Sequence, residues 1–374
     1  MTTKINNEHN KLNVPNLRFP EFQGEWEKCI LGDITENFNL RNKDKIQYSM
    51  FSVTNDRGFI PQSEQFEGRD MVGEDIKAYK IIHSNDFAYN PARINVGSIA
   101  MYTGEKPCMI SSLYVCFKTT KEVNNEWLMQ LLKTPKMNYY YNVNGEGGVR
   151  VYLFYPNFAR IRMSIPKIEE QKKIAKLLNL IDERIATQNK IIDKLQSLIK
   201  GIGKQLFMDN QNWRTVKIGE LLRIGNGKDY KHLSIGKIPV YGTGGQMLLV
   251  NDYLYDGESV CIGRKGTIDT PMFLKGKFWT VDTLFYTYDF KDVLPKFCYY
   301  LFLQINWKLY NEGTGVPSLS KSTIENIKVK IPSLEQQKKI CSILDCYEHK
   351  TNNEEQILEL YHSEKQYLLR QMFI

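Results

Sequence analysis

Taken in alternating steps of four and three from Ile174, the chain places Leu178, Ile181, Ile185, Gln188, Ile192, Leu195, Ile199, Ile202 and Leu206 on one stripe, apolar at nine of its ten positions. That period predicts a heptad-seamed helix over about Ile168 to Phe207, on the order of 60 Å long. A second stripe, over Leu334 to Phe373, keeps Ile340, Ile343, Leu344, Tyr347, Ile357, Leu358, Tyr361 and Leu368. It is interrupted by the polar run Glu348 to Glu355, which predicts a weakened seam there. Elsewhere the pattern changes to short apolar-aromatic runs broken by Gly, Asn, Asp and Pro, the signature of strands in mixed α+β bodies. Strands are expected near Tyr48–Thr54, Phe87–Tyr89, Ser98–Tyr102 and Ser112–Phe117, then near Ser259–Ile262 and Thr283–Tyr288. One helix is expected in each body, around Asn125–Tyr140 and Pro295–Leu309.

The two stripes open on the same phrase. Ile165-Pro166-Lys167-Ile168-Glu169-Glu170-Gln171-Lys172-Lys173-Ile174 returns 166 residues later as Ile331-Pro332-Ser333-Leu334-Glu335-Gln336-Gln337-Lys338-Lys339-Ile340, and 12 of 44 aligned positions are identical to the last residue. A weaker echo at a spacing of 187 relates Trp26 to Ile34 with Trp213 to Leu221. The chain is therefore a duplicated unit, with shared entry and exit around a body of variable length. Ser333 and Gln336 form a capping-box pattern, whereas Pro166 and Glu169-Glu170 suit a helix start without one. Each stripe needs another to cover it, so the economical arrangement is an antiparallel pair bridging the bodies. The alternative is two surface helices, each packed on its own domain.

Composition narrows the class. With 374 residues, no long apolar run and a polar start, the expectation is a two- or three-domain cytoplasmic protein without membrane span or secretory signal. Seven scattered cysteines without a C-x-x-C pair and five scattered histidines give no zinc-ligand spacing. The net charge is +8, and residues 213–330 hold 16 basic against 11 acidic groups, which permits a nucleic-acid partner.

Catalytic patterns are missing. Asn90-Pro91-Ala92-Arg93 lacks the second proline and aromatic of a base-methylating motif, Glu169-x-x-Lys172 and Asp282 are isolated, and neither Gly242-Thr243-Gly244-Gly245 nor Gly145-Glu146-Gly147-Gly148 precedes Lys-Ser/Thr. Both bodies instead carry loops mixing glycine, arginine and hydroxyl residues. The first offers Arg93, Asn95 and Ser98 before and after Gly97, then Arg150 and Tyr152; the second offers Thr243, Arg264, Lys265, Thr267, Thr314, Ser318 and Lys321. Such loops let backbone approach phosphate while arginine meets a guanine edge; plain β-turns with solvated charges are the rival reading.

The lead-in Leu17-Arg18-Phe19-Pro20-Glu21-Phe22 with Trp26, the doubled Ile-Pro-x-x-Glu-x-Gln-Lys-Lys-Ile and the two unequal bodies together resemble the DNA-specificity subunit of type I restriction-modification systems. The resemblance covers nearly the whole chain. It implies an extended lead-in (1–25), a first target-recognition domain (26–165), a long helix (166–208), a second target-recognition domain (209–330) and a second long helix (331–374). It further implies a non-catalytic α+β subunit in which each domain reads half of an asymmetric site on double-stranded DNA. The antiparallel coiled coil would space the halves and dock two methyltransferase subunits through a seam that includes Ile174, Leu178, Ile181, Ile185, Ile192, Leu195, Ile199, Ile340, Leu344, Tyr347, Leu358 and Tyr361. Restriction subunits would join outside, and S-adenosylmethionine would sit on the methyltransferase rather than on this chain. A coiled-coil adaptor with two protein- or glycan-binding domains is the alternative from another class.

Overall fold

The computed structural model describes residues 12–65, 76–147, 151–208 and 212–374. Two helices dominate, Ile168–Met208 and Leu334–Gln371. The chain divides into two compact units, one ending at Thr187 and completed by Leu358–Ile374, the other running from Gln188 to Ile357. Each unit thus owns the start of one long helix and the end of the other.

In the first unit the entry strand Glu27–Ile30 pairs antiparallel with the exit strand Arg162–Ile165, Glu27 opposite Ile165. The second unit repeats this with Arg214–Lys217 against Lys328–Ile331, Arg214 opposite Ile331. The shared entry and exit seen in the sequence are therefore two strands of one ladder. A one-turn helix follows each entry strand. Asp33 Oδ2 accepts from the Ile30 amide (2.9 Å) in one unit, and Glu220 Oε1 from the Lys217 amide (3.1 Å) in the other. A side chain larger than glycine would be crowded inside these turns. A Cβ on Gly32 would stand 3.1 Å from Ala159 Cβ, and one on Gly219 would stand 3.0 Å from Glu325 Cβ.

The bodies inside the ladders differ. The first holds a four-stranded antiparallel sheet in the order Thr35–Phe38, Val115–Thr119, Phe87–Tyr89, Ile99–Met101, with two small two-stranded ladders beside it. The second holds a six-stranded sheet in the order Arg223–Asn226, Leu284–Tyr288, Tyr255–Gly263, Met272–Thr280, Ile235–Gly242, Gly245–Val250, antiparallel except where Ile235–Gly242 runs parallel to Met272–Thr280. The expected strands are found, but the strand Met272–Thr280 and the hairpin 235–250 were not anticipated. The single helix expected over Asn125–Tyr140 is two helices, Asn125–Leu132 and Pro135–Asn144, because Pro135 brings no amide and Thr134 caps the second by accepting from Met137. The later helix also stops early, at Phe302. The chain turns there so that Trp307 is buried and its indole N–H donates to Phe302 O (2.9 Å).

The repeated phrase earns its place through one side chain. Gln171 is buried; its Oε1 accepts from the Asn124 amide (2.8 Å), and its Nε2 donates to Glu122 O (3.1 Å) and Pro166 O (2.9 Å). Gln337 does the same in the second unit, accepting from the Leu294 amide (2.8 Å) and donating to Asp292 O (2.9 Å) and Pro332 O (3.1 Å). Asn124 and Leu294 are the N-caps of the two body helices. A second doubled contact closes the far ends. Phe373 packs on Trp127 (ring centroids 6.0 Å apart), which meets Trp26 edge-on (6.4 Å), while Phe207 stacks on Phe297 (5.3 Å), which meets Trp213 (6.2 Å).

The long helices pair antiparallel within each unit. In the first, Ile174, Leu178 and Ile181, with Ile185 half-buried, share a core with Leu368, Leu369, Met372 and Phe373. In the second, Ile202, Leu206 and Phe207 share a core with Ile340, Cys341 and Leu344. Ile192 and Leu195 are buried, and Ile199, Tyr347, Leu358 and Tyr361 half-buried. The polar run at Glu348–Glu355 does not interrupt the helix, and Glu348, Thr351 and Glu354 within it find partners. Gln188, the one polar position of the first stripe, donates to the Glu354 carboxylate (2.6 Å) and carbonyl (3.0 Å). Thr351 is buried, its hydroxyl turned back to Tyr347 O (3.0 Å). Glu348 takes an ion pair from Lys296 (2.6 Å) and a bond from the Tyr300 hydroxyl (3.1 Å), which also donates to Asp345 (2.6 Å). Burial and these carboxylates push the Tyr300 phenol well above its usual range. The lead-in is anchored too: Arg18 forks onto both oxygens of buried Glu170 (2.8 and 2.7 Å), and the Leu17 amide donates to Gln371 O (2.9 Å).

Gln337→Leu removes three hydrogen bonds and strands the Leu294 amide, a loss of roughly 3 kcal/mol at about 1 kcal/mol per bond. Hydrogen exchange on the full chain should show helix Pro295–Phe302 losing protection; unchanged protection would contradict the clamp.

Candidate nucleic-acid interface

In the second unit the loops singled out by composition come together. The Arg264 amide donates to Thr283 O (2.8 Å) and its carbonyl accepts from the Leu319 amide (2.9 Å). Lys265 bridges Ser318, and the Gly266 amide donates to Pro317 O (2.9 Å). The hairpin turn joins them, with Thr243 Oγ1 3.7 Å from where a Gly266 Cβ would lie. Thr243, Arg264, Lys265, Thr267, Thr314 and Ser318 thus lie along one continuous set of loops, and half-buried Lys321 opens the short helix that follows.

The set is braced from below. Asn311 Oδ1 accepts from the Gly313 and Ser318 amides (2.9 and 2.8 Å), closing the loop that presents Thr314. Glu312 accepts from the hydroxyls of Thr323 and Ser320, and these donors hold its carboxyl below the usual range. Arg264 is exposed, with its guanidinium carbon 6.0 Å from the centroid of the buried Phe285 ring, a cation–π contact that orients it. Neither Arg264 nor Lys265 forms an ion pair among the described residues, so both charges face solvent.

In the first unit two marked loops also meet. The Leu153 amide donates to Pro91 O (3.0 Å), and Tyr152 and Glu146 exchange both backbone bonds (2.8 and 2.9 Å). Exposed Arg93, half-buried Asn95 and exposed Tyr152 line an open cleft of about 810 Å³ with Asn90, Val96, Leu113 and Phe154. Asn95 is held by the Asn142 carboxamide oxygen (2.9 Å) at the end of helix Pro135–Asn144. Arg150 lies outside the described residues.

Ser98 requires a correction. It is buried, and its hydroxyl donates to Val53 O (2.7 Å), so it ties a strand in place and presents nothing to a ligand. Gly97 before it has φ +102°, and a Cβ there would stand 2.9 Å from Asn55 O, which is why the chain can turn inward at this point. Asn90 is structural as well, since its side-chain oxygen accepts from the Ala92 amide (3.0 Å) in an Asx turn. The apolar members of the cleft, Leu113 and Phe154, were missed. Both stand beside turn residues in the sequence, Ser111-Ser112 and Pro156, but an exposed position cannot be told from a buried one by its residue type.

No group of three or more His, Cys, Asp or Glu among the described residues is placed to hold a metal. Burial pushes the thiols of Cys108, Cys116 and Cys261 up to about 12, leaving them protonated and unreactive.

Residues 23–197 and 210–360 match a family described as the type I restriction modification DNA specificity domain. A putative type I restriction enzyme specificity subunit of Methanocaldococcus jannaschii, MjaX, is 24% identical over 92% of this chain and 93% of its own length. The MjaVIII specificity subunit of the same organism is 24% identical over 94% and 92%. Among solved structures, the S subunit of a type I system from M. genitalium superposes with a TM-score of 0.62 at 15% identity, covering 96% of this chain and 99% of its own. A chain from a study of type I complex assembly gives 0.59 at 13% identity, covering 92% and 96%. At these identities the superpositions speak to the fold.

Ser98→Ala is expected to lower unfolding stability by about 1 kcal/mol through loss of the Val53 bond, whereas Arg93→Ala should change it by less than about 0.5 kcal/mol. Urea unfolding of the two variants checks this; equal effects would count against the assignment of Ser98 to the scaffold.

Proposed function

The chain belongs to the type I restriction-modification DNA specificity family, and on that premise we propose that it is the non-catalytic sequence-reading subunit of a methylating and cleaving complex. Each unit reads one half of a bipartite site on double-stranded DNA. The observation that carries this reading is a pair of exposed loop clusters mounted at matching places on a doubled frame, with Arg93 and Arg264 each shortly before a glycine-bearing turn but with different neighbours. A repeated frame with unlike loops suits a split target whose halves differ in sequence. Base-edge contacts by such arginines discriminate, while the surrounding lysines and backbone amides meet phosphate. An adaptor for protein or glycan gives no reason for two uncompensated arginines on glycine-rich turns.

The long helices then space the halves and dock two methyltransferase subunits, and the restriction subunits join that assembly. S-adenosylmethionine and the chemistry of methyl transfer belong to the methyltransferase. No helix among the described residues is long and apolar enough to cross a membrane, and the reading places the protein in the cytoplasm with the DNA it surveys. The direct test is to express the chain with its methyltransferase partner and map methylated bases across a genome. A bipartite, asymmetric motif is expected; a contiguous motif, or none, overturns the reading.

Two substitutions test its parts. Arg264→Ala should relax the half-site read by residues 213–330, and only that half, by about 1–3 kcal/mol. Equal loss at both halves or on random DNA would count against base readout. Leu195→Glu buries an unpaired carboxylate in the seam and should reduce co-purification with the methyltransferase; intact assembly with unchanged half-site spacing would remove the helices from that role.

A further inference from the structure

We propose that the first unit reads its half-site through the C5-methyl groups of thymine, an inference that rests on the DNA-specificity reading above. Its cleft is lined by four apolar side chains held out to solvent: Leu113 (77% exposed), Val96 (55%), Phe154 (49%) and Tyr152 (39%). Tyr152 and Phe154 stack with ring centroids 6.3 Å apart at 14°, so they form one fixed apolar wall. Val96 sits on the turn held by the Arg93 carbonyl (3.2 Å), which sets it beside Arg93, the one cation among the described residues that lines the cleft. Clustered apolar side chains on a surface mark a place that another molecule covers.

The charge and position of the cleft select the occupant. Arg93 is exposed without an ion pair among the described residues, and the same loop corresponds to the one that carries Arg264 in the second unit. There the surrounding loop residues are Lys265, Thr267, Thr314 and Ser318, which suit hydrogen bonds and phosphate. That cluster exposes one apolar side chain, Val316 (63%), so the gathered and stacked apolar wall is what distinguishes the first unit. At the edges of base pairs in the major groove, the one apolar group is the thymine methyl. A wall of Leu113, Val96, Tyr152 and Phe154 beside Arg93 therefore suits a half-site with thymines next to the base that the arginine contacts.

The test uses the full chain with its methyltransferase partner and duplexes carrying the mapped target. The half read by residues 213–330 is identified by its response to Arg264→Ala, and the other half belongs to the first unit. Thymines are replaced by uracil in one half at a time, which removes the methyl and leaves every hydrogen-bonding group. Binding should weaken about fourfold per contacted thymine in the first unit's half, the effect of unburying one methyl group, and should change less for the second. Leu113→Ala, at an exposed position, should weaken binding to the thymine duplex and have little further effect on the uracil duplex.

Equal affinity for thymine and uracil duplexes, or a first half-site without thymine, overturns methyl readout while the bipartite specificity stands. A Leu113→Ala loss that persists undiminished on uracil DNA also overturns it and assigns the side chain to wedging between base steps. Absence of any bipartite preference would instead strike at the parent reading.

Discussion

A buried glutamine at the head of each long helix is the contact on which the rest of the structure depends. Gln171 and Gln337 each use both amide hydrogens and one carbonyl lone pair, reaching the proline just after the exit strand, the loop before the body helix and that helix's N-cap amide. A carboxamide buried without partners would cost several kcal/mol, so the side chain is stable only when all three backbone segments are in place. It fixes where the long helix leaves the ladder and where the body helix begins. Glutamate would lose both donors and leucine all three bonds, which is the physical reason the same phrase stands at both places in the chain.

Other doubled contacts preserve an interaction while changing its residues. Gln130 donates to Asn179 (3.0 Å) and Asp182 (2.9 Å) in the first unit; Tyr300 donates to Asp345 and Glu348 in the second, and those acceptors lie one repeat spacing of 166 residues on. The aromatic triads Trp26–Trp127–Phe373 and Trp213–Phe297–Phe207 vary one ring in three. Gln188 and Glu354 go further, since they are each other's repeat equivalents and they touch. In an antiparallel helix pair a position can meet its own equivalent only at the centre of the pair. One polar residue from each copy at that point satisfies the other, whereas two glutamates there would repel and two glutamines would lose the charge-assisted bond.

What could be read from the sequence divides along the same line. The long helices were legible because a heptad stripe is a local, periodic signal repeated over many turns. The ladder was half legible: the echo at Trp26 and Trp213 and the phrase at Ile165 and Ile331 marked its two strands, though nothing local said that they pair. The polar run Glu348–Glu355 was read as a weakness because its partners, Gln188, Lys296 and Tyr300, lie far away in sequence. Pro135 was overridden by the apolar spacing of Trp127, Leu128, Leu131 and Leu132, although a proline after Thr is itself a helix-start signal. At the interface, loop membership was legible and side-chain direction was not. Arg93 and Ser98 stand five residues apart in one loop, and Gly97 turns one outward and the other into the core.

The frame and the loops can be tuned separately because they share few contacts. The buried glutamines, the aromatic triads and the seam draw on residues of the ladders, body helices and long helices. Arg264, Lys265, Thr267 and Thr314, and likewise Val96 and Leu113, are exposed and contribute little to those cores. Exposed substitutions of this kind usually shift stability by no more than about 0.5 kcal/mol. The loops themselves are held by backbone bonds, such as Arg264 O with the Leu319 amide and Pro91 O with the Leu153 amide. Those bonds do not depend on which side chain is presented. A mainly polar loop surface in one unit and one with a stacked apolar wall in the other can therefore stand on the same duplicated scaffold.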